Sequence, residues 1–292
     1  MRGDREWTVG GAAALEMAAP AAVEALCAVV AGHATRLGAE TIGAIRSVTS
    51  GANGLPALGG PVTDAGALDA VVRAFAEQFS IDVSSIDDGQ RAEMSAVLGE
   101  NLFDAVQAIY VADFVPRLYA ALDAVFGTSA WSVPDAFRTD DTWSLIDAFA
   151  MEVARLSTLD AVTTELVRLR GARQHQCRLC KSLRNVTALR EGADDATLEA
   201  IDSYADSALA PKAKAALALT DAMIWTPARI DPVVIDSVRA SLAPVEVVEV
   251  ALDVTRNAAN KIAVALGADA AAVADGAVAL FDVDAEGKFT YL

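Results

Sequence analysis

The chain has 292 residues, of which 54% are hydrophobic and 22% are charged, a composition typical of a globular protein and not of a disordered one. Its 40 acidic and 23 basic residues give a formal net charge of −17. A surface this acidic repels nucleic acid and anionic lipid, so we expect neither as a partner. The length allows one large domain or two ordinary ones.

The apolar stretch at residues 12–32 could be mistaken for a signal peptide or a membrane anchor. It contains Glu16, Glu24 and Pro20, and both acids and bases precede it. The basic leader and the uninterrupted apolar core of a signal peptide are therefore both missing. We expect a cytoplasmic protein that does not associate with a membrane.

The rest of the chain predicts two series of helices. Long stretches rich in Ala, Leu, Glu and Arg, with few β-branched runs, favour helices over strands. The predicted helical regions are 12–48, 67–79, 90–126, 142–156, 157–173, 177–190, 194–209, 211–225, 231–242 and 244–267. A segment of turn-forming residues at 127–143 predicts a linker, and residues 278–292 predict a short strand or a packed tail. The fold class expected is all-α.

The two series resemble each other. A shift of 144 residues places residues 85–98 on 229–242, and helices and breaks recur in the same order. This pattern predicts a tandem duplication of one helical unit, with copies at residues 1–130 and 131–292. The alternative is two unrelated helical runs, because an alanine-rich chain produces chance matches.

Two of the three cysteines, Cys177 and Cys180, lie three residues apart near the predicted start of a helix. Arg184 follows Cys180 by four residues, which predicts that both lie on one helix face, where the positive charge would lower the thiol pKa. The helix start and two neighbouring basic residues also favour a thiolate. A shift of 141 residues places Arg36 on Cys177, so the first half lacks the pair and is expected to be structural.

Two other interpretations of the cysteine pair remain open. A structural zinc site needs four ligands, and only Cys27, His33 and His175 could supplement the pair, with no second CxxC motif in the chain. The cysteines could also be small core residues, although a CxxC among four basic residues is an awkward core segment.

Glu165 precedes Cys177 by twelve residues, in a predicted helix. A glutamate in such a place is most often exposed to solvent. The functional interpretation is a carboxylate that faces Arg184 across two adjacent helices. Because a buried arginine is costly without a carboxylate, this interpretation predicts an ion pair between Glu165 and Arg184, beside Cys180.

The spacing of Glu165, Cys177 and Cys180 resembles that of the carboxymuconolactone decarboxylase/alkylhydroperoxidase D-like superfamily, with Arg184 at the position of the family's histidine. Residues 242–269 also resemble the closing helices of that family. The second half of the chain carries the resemblance, and the first half is included only through the repeat. The resemblance implies an all-helical fold that forms homo-oligomers, without a cofactor or a metal. The apolar helices predicted around residues 102–126 and 245–266 likewise favour a homo-oligomer.

The peroxidase members of the family use the CxxC pair as a thiol–disulfide couple. By this resemblance, Cys180 attacks a hydroperoxide and becomes a sulfenic acid, and Cys177 resolves it to a disulfide. A dithiol or a lipoyl protein then reduces the disulfide, while Glu165 and a histidine relay protons. The implied activity is that of an antioxidant peroxidase, with Cys180, Cys177, Glu165 and Arg184 as the catalytic residues.

The sequence departs from the family pattern at Leu179 and at Arg184. Arginine cannot shuttle protons at neutral pH, so His175 is a candidate substitute base, or else a hinge residue. Two other classes of function remain open. One is the lactone-decarboxylase branch, which acts on a small acidic substrate without redox cysteines. The other is a non-catalytic helical scaffold whose cysteine pair senses redox state.

Overall fold

The computed structural model describes residues 6–34, 36–60, 63–139, 141–274 and 277–292, and the chain is mostly helical, as the sequence predicts. The helices described in the first half are α1 (Gly11–Ala18), α2 (Pro20–Ala31), α3 (Ala39–Asn53), α4 (Ala70–Asp82), α5 (Asp88–Leu98) and α6 (Leu102–Phe126). Those described in the second half are α7 (Thr142–Ala154), α8 (Ala161–Gln174), α9 (Arg178–Lys181), α10 (Val186–Arg190), α11 (Asp195–Glu199), α12 (Pro211–Trp225), α13 (Pro232–Ser241), α14 (Pro244–Asn257) and α15 (Lys261–Ala265).

Two small sheets accompany the helices. Strands β1 (Gly32–Ala34) and β2 (Phe137–Thr139) pair in parallel. In the second sheet, β4 (Ala279–Val283) pairs in parallel with β3 (Leu183–Asn185) and antiparallel with β5 (Phe289–Tyr291). The strand predicted near the carboxyl end is therefore confirmed as a hairpin, and it lies against the segment that follows the cysteines.

Aspartate side chains begin several of the helices. Those of Asp69, Asp87 and Asp160 accept hydrogen bonds from backbone N–H groups in the first turns of α4, α5 and α8. Such a cap typically contributes about 1 kcal/mol to stability, because it satisfies a donor that has no partner inside the helix. Part of the acidic character of the chain thus serves to start helices.

The single helix predicted at residues 177–190 is too long. Helix α9 covers only four residues, and the chain then forms β3 before the short helix α10. The backbone of β3 pairs with β4, a contact between segments almost a hundred residues apart that local periodicity does not reveal. The prediction at 194–209 is also too long, since α11 passes into a 3₁₀ segment at Ala200–Asp206.

One apolar core extends through both halves of the chain. Helix α6 lies at its centre and packs against α1, α3, α4 and α14. Helix α2 packs against α7, and α8 packs against α12 and α14. The apolar faces of α6 and α14, from which the sequence predicts an oligomer, are largely buried against each other and their neighbours. The core is continuous across residue 130, and the division of the chain there stays a prediction.

No single helix within the described residues is long and apolar enough to cross a bilayer. Helices α1 and α2 reach the required length and composition only as a pair, and that pair is bent by 118°.

A buried cluster of charges joins the two halves. The Asp113 carboxylate on α6 lies 2.8 Å from Arg117 Nε and 2.7 Å from Lys261 Nζ of α15, and all three side chains are buried. Arg117 also donates to Asn53 Oδ1 and to the carbonyl oxygens of Ser80, Met223 and Ile224. Burial lowers the pKa of Lys261 to about 8, although Asp113 opposes that shift. The cluster therefore holds elements of both halves in one register.

We expect Asp113→Asn to lower the free energy of unfolding by about 3–5 kcal/mol, because it leaves two buried cations without their anion. Urea unfolding followed by circular dichroism measures this loss. The matched control is Glu152→Gln, which removes the anion of an exposed pair with Arg155 and should shift the midpoint very little. Equal midpoints for the two variants would contradict the role given to the cluster.

Candidate active site

The two cysteines lie in the short segment between α8 and β3, and they form a disulfide with Cα atoms 5.3 Å apart. Both are buried, with Cys177 1% exposed and Cys180 7% exposed. Gln176 precedes them with a φ of 54°, in the left-handed region, and this turn directs the chain from α8 back toward the core.

The zinc interpretation finds no support in the described part of the chain, where no three His, Cys, Asp or Glu residues are grouped to hold a metal ion. Cys27 lies on α2, in the other half, and the side chain of His33 lies outside the described residues. The interpretation as core residues is partly right, since both cysteines belong to the apolar core. They also line a pocket, so their role is not limited to filling the core.

Glu165 is buried, and its partner is Arg168 instead of the predicted Arg184. The guanidinium of Arg168 donates from Nε and Nη2 to the two carboxylate oxygens, each at 2.7 Å. Residues three apart on a helix lie side by side, so the pair forms within one turn of α8. The predicted ion pair with Arg184 is wrong, since the carboxylate pairs with this nearer arginine and also accepts a hydrogen bond from the backbone N–H of Asn185.

Arg168 also holds the cysteine segment. It donates from Nη1 to the carbonyl oxygen of Cys180 at 2.9 Å and from Nη2 to that of Leu183 at 2.8 Å. Its guanidinium lies 5.1 Å from the ring centroid of Phe281 on β4, within range of a cation–π contact. One side chain thus links α8, the cysteines and the C-terminal hairpin. Arg168 is not among the site residues predicted from the sequence, although its spacing of three residues from Glu165 is typical of an ion pair within a helix.

Arg184 lies in β3, so the argument that placed it on one helix face with Cys180 does not hold. Its Nη1 donates to the carbonyl oxygens of Lys181 and Leu183, at 2.8 and 2.7 Å. Burial lowers its pKa from the ordinary value, and the neighbouring Arg168 adds to that shift. Both arginines bring positive charge near the cysteines, but only Arg168 bonds to one of them.

His175 ends α8, where its backbone N–H donates to the carbonyl oxygen of Gly171. Its ring is buried, edge-on to Phe114 with centroids 5.9 Å apart, and it lines the pocket. Burial, followed by the charges of Lys261 and Arg117, lowers its pKa well below 6.5. The imidazole is therefore neutral at physiological pH and is a weak base.

Residues after α15 form hydrogen bonds to the backbone of the cysteine segment. Asp269 accepts hydrogen bonds from the backbone N–H groups of Arg178 and Leu179, through its carboxylate and its carbonyl oxygen. The backbone N–H of Ala279 donates to the carbonyl oxygen of Ser182, where the β3–β4 pairing begins. These contacts make the C-terminal hairpin part of the site, which the sequence did not predict.

The cysteines line a pocket of about 660 Å³. Its wall is mostly apolar. Besides the cysteine segment and α8, the wall includes Trp143, Ile146 and Met151 of α7, Phe281, Phe289 and Tyr291 of the hairpin, and Arg256 and Asn257 at the end of α14. The hairpin turn sits closely on α7, since a Cβ at Gly287 would collide with the carbonyl oxygen of Met151. A pocket of this size accommodates a small organic molecule.

Helix α14 carries two buried acids behind this wall. Glu249 accepts hydrogen bonds from the backbone N–H groups of Thr158 and Leu159 and from the Thr158 hydroxyl. Asp253 lies 3.1 Å from Arg256 Nη2, and its other carboxylate oxygen has no partner in the protein. Burial raises the pKa of Asp253 to about 7, against the opposing effect of Arg256.

The architecture is that of a mostly helical protein with a buried CxxC disulfide facing an apolar pocket. Two proteins of Mycobacterium tuberculosis are similar to it: Uncharacterized protein Rv2313c of strain H37Rv and Uncharacterized protein MT2376 of strain CDC 1551. Each is 44% identical over 248 residues, which cover 80% of this chain and 86% of the relative. The chain belongs to the family of these mycobacterial proteins. No protein-family model matches the chain, and no solved structure matches it significantly.

We expect Arg168→Met to lower the free energy of unfolding by about 3–5 kcal/mol, because it leaves the Glu165 carboxylate buried without a cation. Adding Glu165→Leu should recover part of this loss, since neither charge then remains unpaired. Denaturant unfolding compares both variants with Arg190→Met, which alters an exposed arginine on α10. A double variant no more stable than Arg168→Met would contradict the assignment of the pair.

We expect Asp253→Asn to stabilise the protein at pH 8, by up to about 4 kcal/mol, and not at pH 4. The folded-state pKa of about 7 exceeds the ordinary 3.8, so this group stabilises the fold fully below pH 4 and loses that contribution as the pH rises through 7. Thermal unfolding at pH 4, 6 and 8 tests the trend, with Asp236→Asn on the surface of α13 as the control. A difference that does not change with pH would contradict it.

Proposed function

We propose that this protein is a thiol–disulfide oxidoreductase that reduces an organic hydroperoxide and is re-reduced by a dithiol, free or carried by a lipoyl protein. One observation carries the proposal: the Cys177–Cys180 pair lines a largely apolar pocket of about 660 Å³ that is large enough for such a substrate. We include a reducing, cytoplasmic compartment in the proposal, since a cycling CxxC pair depends on dithiols.

The proposed cycle balances in three steps. The Cys180 thiolate attacks the terminal oxygen of ROOH, the O–O bond breaks, and the alkoxide takes up the thiol proton to leave as ROH. The Cys177 thiol then attacks the sulfur of the Cys180 sulfenic acid, the S–O bond breaks, and water leaves. A dithiol finally reduces the disulfide by exchange and is itself oxidised to a disulfide. The greater exposure of Cys180 supports its role as the attacking thiol.

The other candidate residues receive revised roles in this proposal. Glu165 and Arg168 act as positioning residues, because their charges satisfy each other and Arg168 holds the Cys180 carbonyl. Arg184 supports the turn after the cysteines through its bonds to backbone carbonyls. His175, which is neutral and on the pocket wall, is available to hydrogen-bond a substrate.

We also propose that the two halves arose by tandem duplication. The starts of α2 and α8, and those of α4 and α12, lie 141 residues apart, and the starts of α5 and α13 lie 144 apart. The same offset of 144 relates Arg117 to Lys261, the two cations that share Asp113. These matched positions support one ancestral unit, of which only the second copy retains the cysteines.

A homo-oligomer remains part of the proposal. Trp143 packs against Phe103 near the pocket, and Phe289 and Tyr291 are also exposed. Exposed aromatic side chains of this kind are common where a second subunit docks.

Stopped-flow measurement of cumene hydroperoxide and hydrogen peroxide consumption tests the proposed cycle, with dihydrolipoamide as the reductant. We expect Cys180→Ser to abolish turnover, because it removes the attacking sulfur. Cys177→Ser should accumulate a sulfenic acid on Cys180 that dimedone traps. Cys27→Ser, which changes the cysteine outside the site, is the control and should retain full activity.

Two other results would favour the remaining classes of function. Oxidation of the pair once, without turnover in the presence of dithiol, would favour a redox-sensing scaffold. Activity that survives the loss of both cysteines would favour the lactone-decarboxylase branch acting on a small acid. An alkylation pKa near 8.5 at Cys180, the value of an unperturbed thiol, would also count against an activated nucleophile.

A further inference from the structure

One end of the large pocket is lined by Arg256 and Asn257. Arg256 Nε and Asn257 Nδ2 are closed off by surrounding atoms, so a ligand can reach the Arg256 guanidinium, whose side chain is 16% exposed, only at its terminal nitrogens. The only ion pair of Arg256 within the described residues joins its Nη2 to Asp253, at 3.1 Å. A guanidinium has five N–H donors, and buried donors in proteins almost always find an acceptor.

The charge at this end favours an anion. Asp253 only partly cancels Arg256 at neutral pH, because burial raises its pKa to about 7. Lys288, on the hairpin, adds a second cation to the pocket wall. The acid on the wall is Asp147, which is exposed to solvent on α7, and Glu165 is already paired with Arg168.

The remainder of the pocket is apolar, and aromatic rings of α7 and the hairpin make up much of it. A small hydrophilic acid would leave this surface without contacts, whereas a bulky apolar group would cover it. A ligand that fills the pocket therefore needs an anionic group at one end and an apolar body at the other.

We infer that this pocket binds an amphipathic organic acid, whose single carboxylate bonds to the Arg256 guanidinium and whose apolar body packs on Trp143 and the hairpin. As a statement about the substrate, this inference rests on the proposed function, and it makes the substrate the hydroperoxide of such an acid. As a statement about binding, it holds for the pocket whatever the cysteines do.

Calorimetric titration of the full chain with 1-naphthaleneacetate, its neutral analogue 1-naphthaleneacetamide, and succinate tests the inference. We expect the aromatic acid to bind about 10–100-fold more tightly than the amide, because a hydrogen bond to a charged group is the stronger one. Arg256→Gln should remove this preference by lowering the affinity for the acid far more than that for the amide. Arg190→Gln removes the same charge outside the pocket and should change neither affinity.

Lys288→Gln provides a second variant if Arg256→Gln does not fold, and it should weaken binding of the acid more than that of the amide, because it removes the second cation of the pocket wall. Equal affinities for acid and amide, tighter binding of succinate, or no binding of the acid would each overturn the inference. The same titration on a Cys177→Ser/Cys180→Ser double variant separates the two proposals. Binding that survives there without turnover in the wild type refutes only the peroxidase, and turnover without acid binding refutes only this inference.

Discussion

The guanidinium of Arg168 is the contact on which the candidate site depends. It neutralises the buried carboxylate of Glu165, and its remaining donors bind the carbonyl oxygens of Cys180 and Leu183. Its face meets the ring of Phe281. A buried cation is tolerated only when its charge and its donors are satisfied, so the helix, the cysteine turn and the C-terminal hairpin must all be in place together. The position of the disulfide at the pocket is a consequence of that requirement.

The same physical arrangement recurs at the centre of the core. Asp113 lies between Arg117 and Lys261, and Arg117 uses its other donors on backbone carbonyls of three different segments. Apolar helices rich in alanine can slide past one another at little cost, because their surfaces are alike. A buried ion cluster with directional bonds permits only one alignment. The two clusters therefore define how the helices are aligned, while apolar burial supplies most of the stability.

The sequence predicts the parts of this structure that local periodicity controls. The long helices, the turn-rich linker and the strand near the carboxyl end follow from spacing and from breaker residues. The segment after the cysteines does not, because β3 exists only through its pairing with β4, about a hundred residues away. Because of that pairing, Arg184 lies in a strand and not on the expected helix face. The partner of Glu165 is Arg168 instead. The burial of Asp253 could not be predicted for a similar reason. A single acid on an apolar helix is buried or exposed according to how the helix packs, and the sequence does not show that packing.

The fixed charges around the cysteines bear on how the proposed chemistry handles protons. Glu165 is held by Arg168, Arg184 is bonded to carbonyl oxygens, and His175 is kept neutral by its surroundings. None of the three can both take up and release a proton easily near neutral pH. The cycle nevertheless closes, because two thiols enter it with two protons, one for the departing alkoxide and one for the water. In the proposed cycle these fixed charges therefore alter how fast protons move and not what is made, and the acidity of the two thiols becomes the property that limits the reaction.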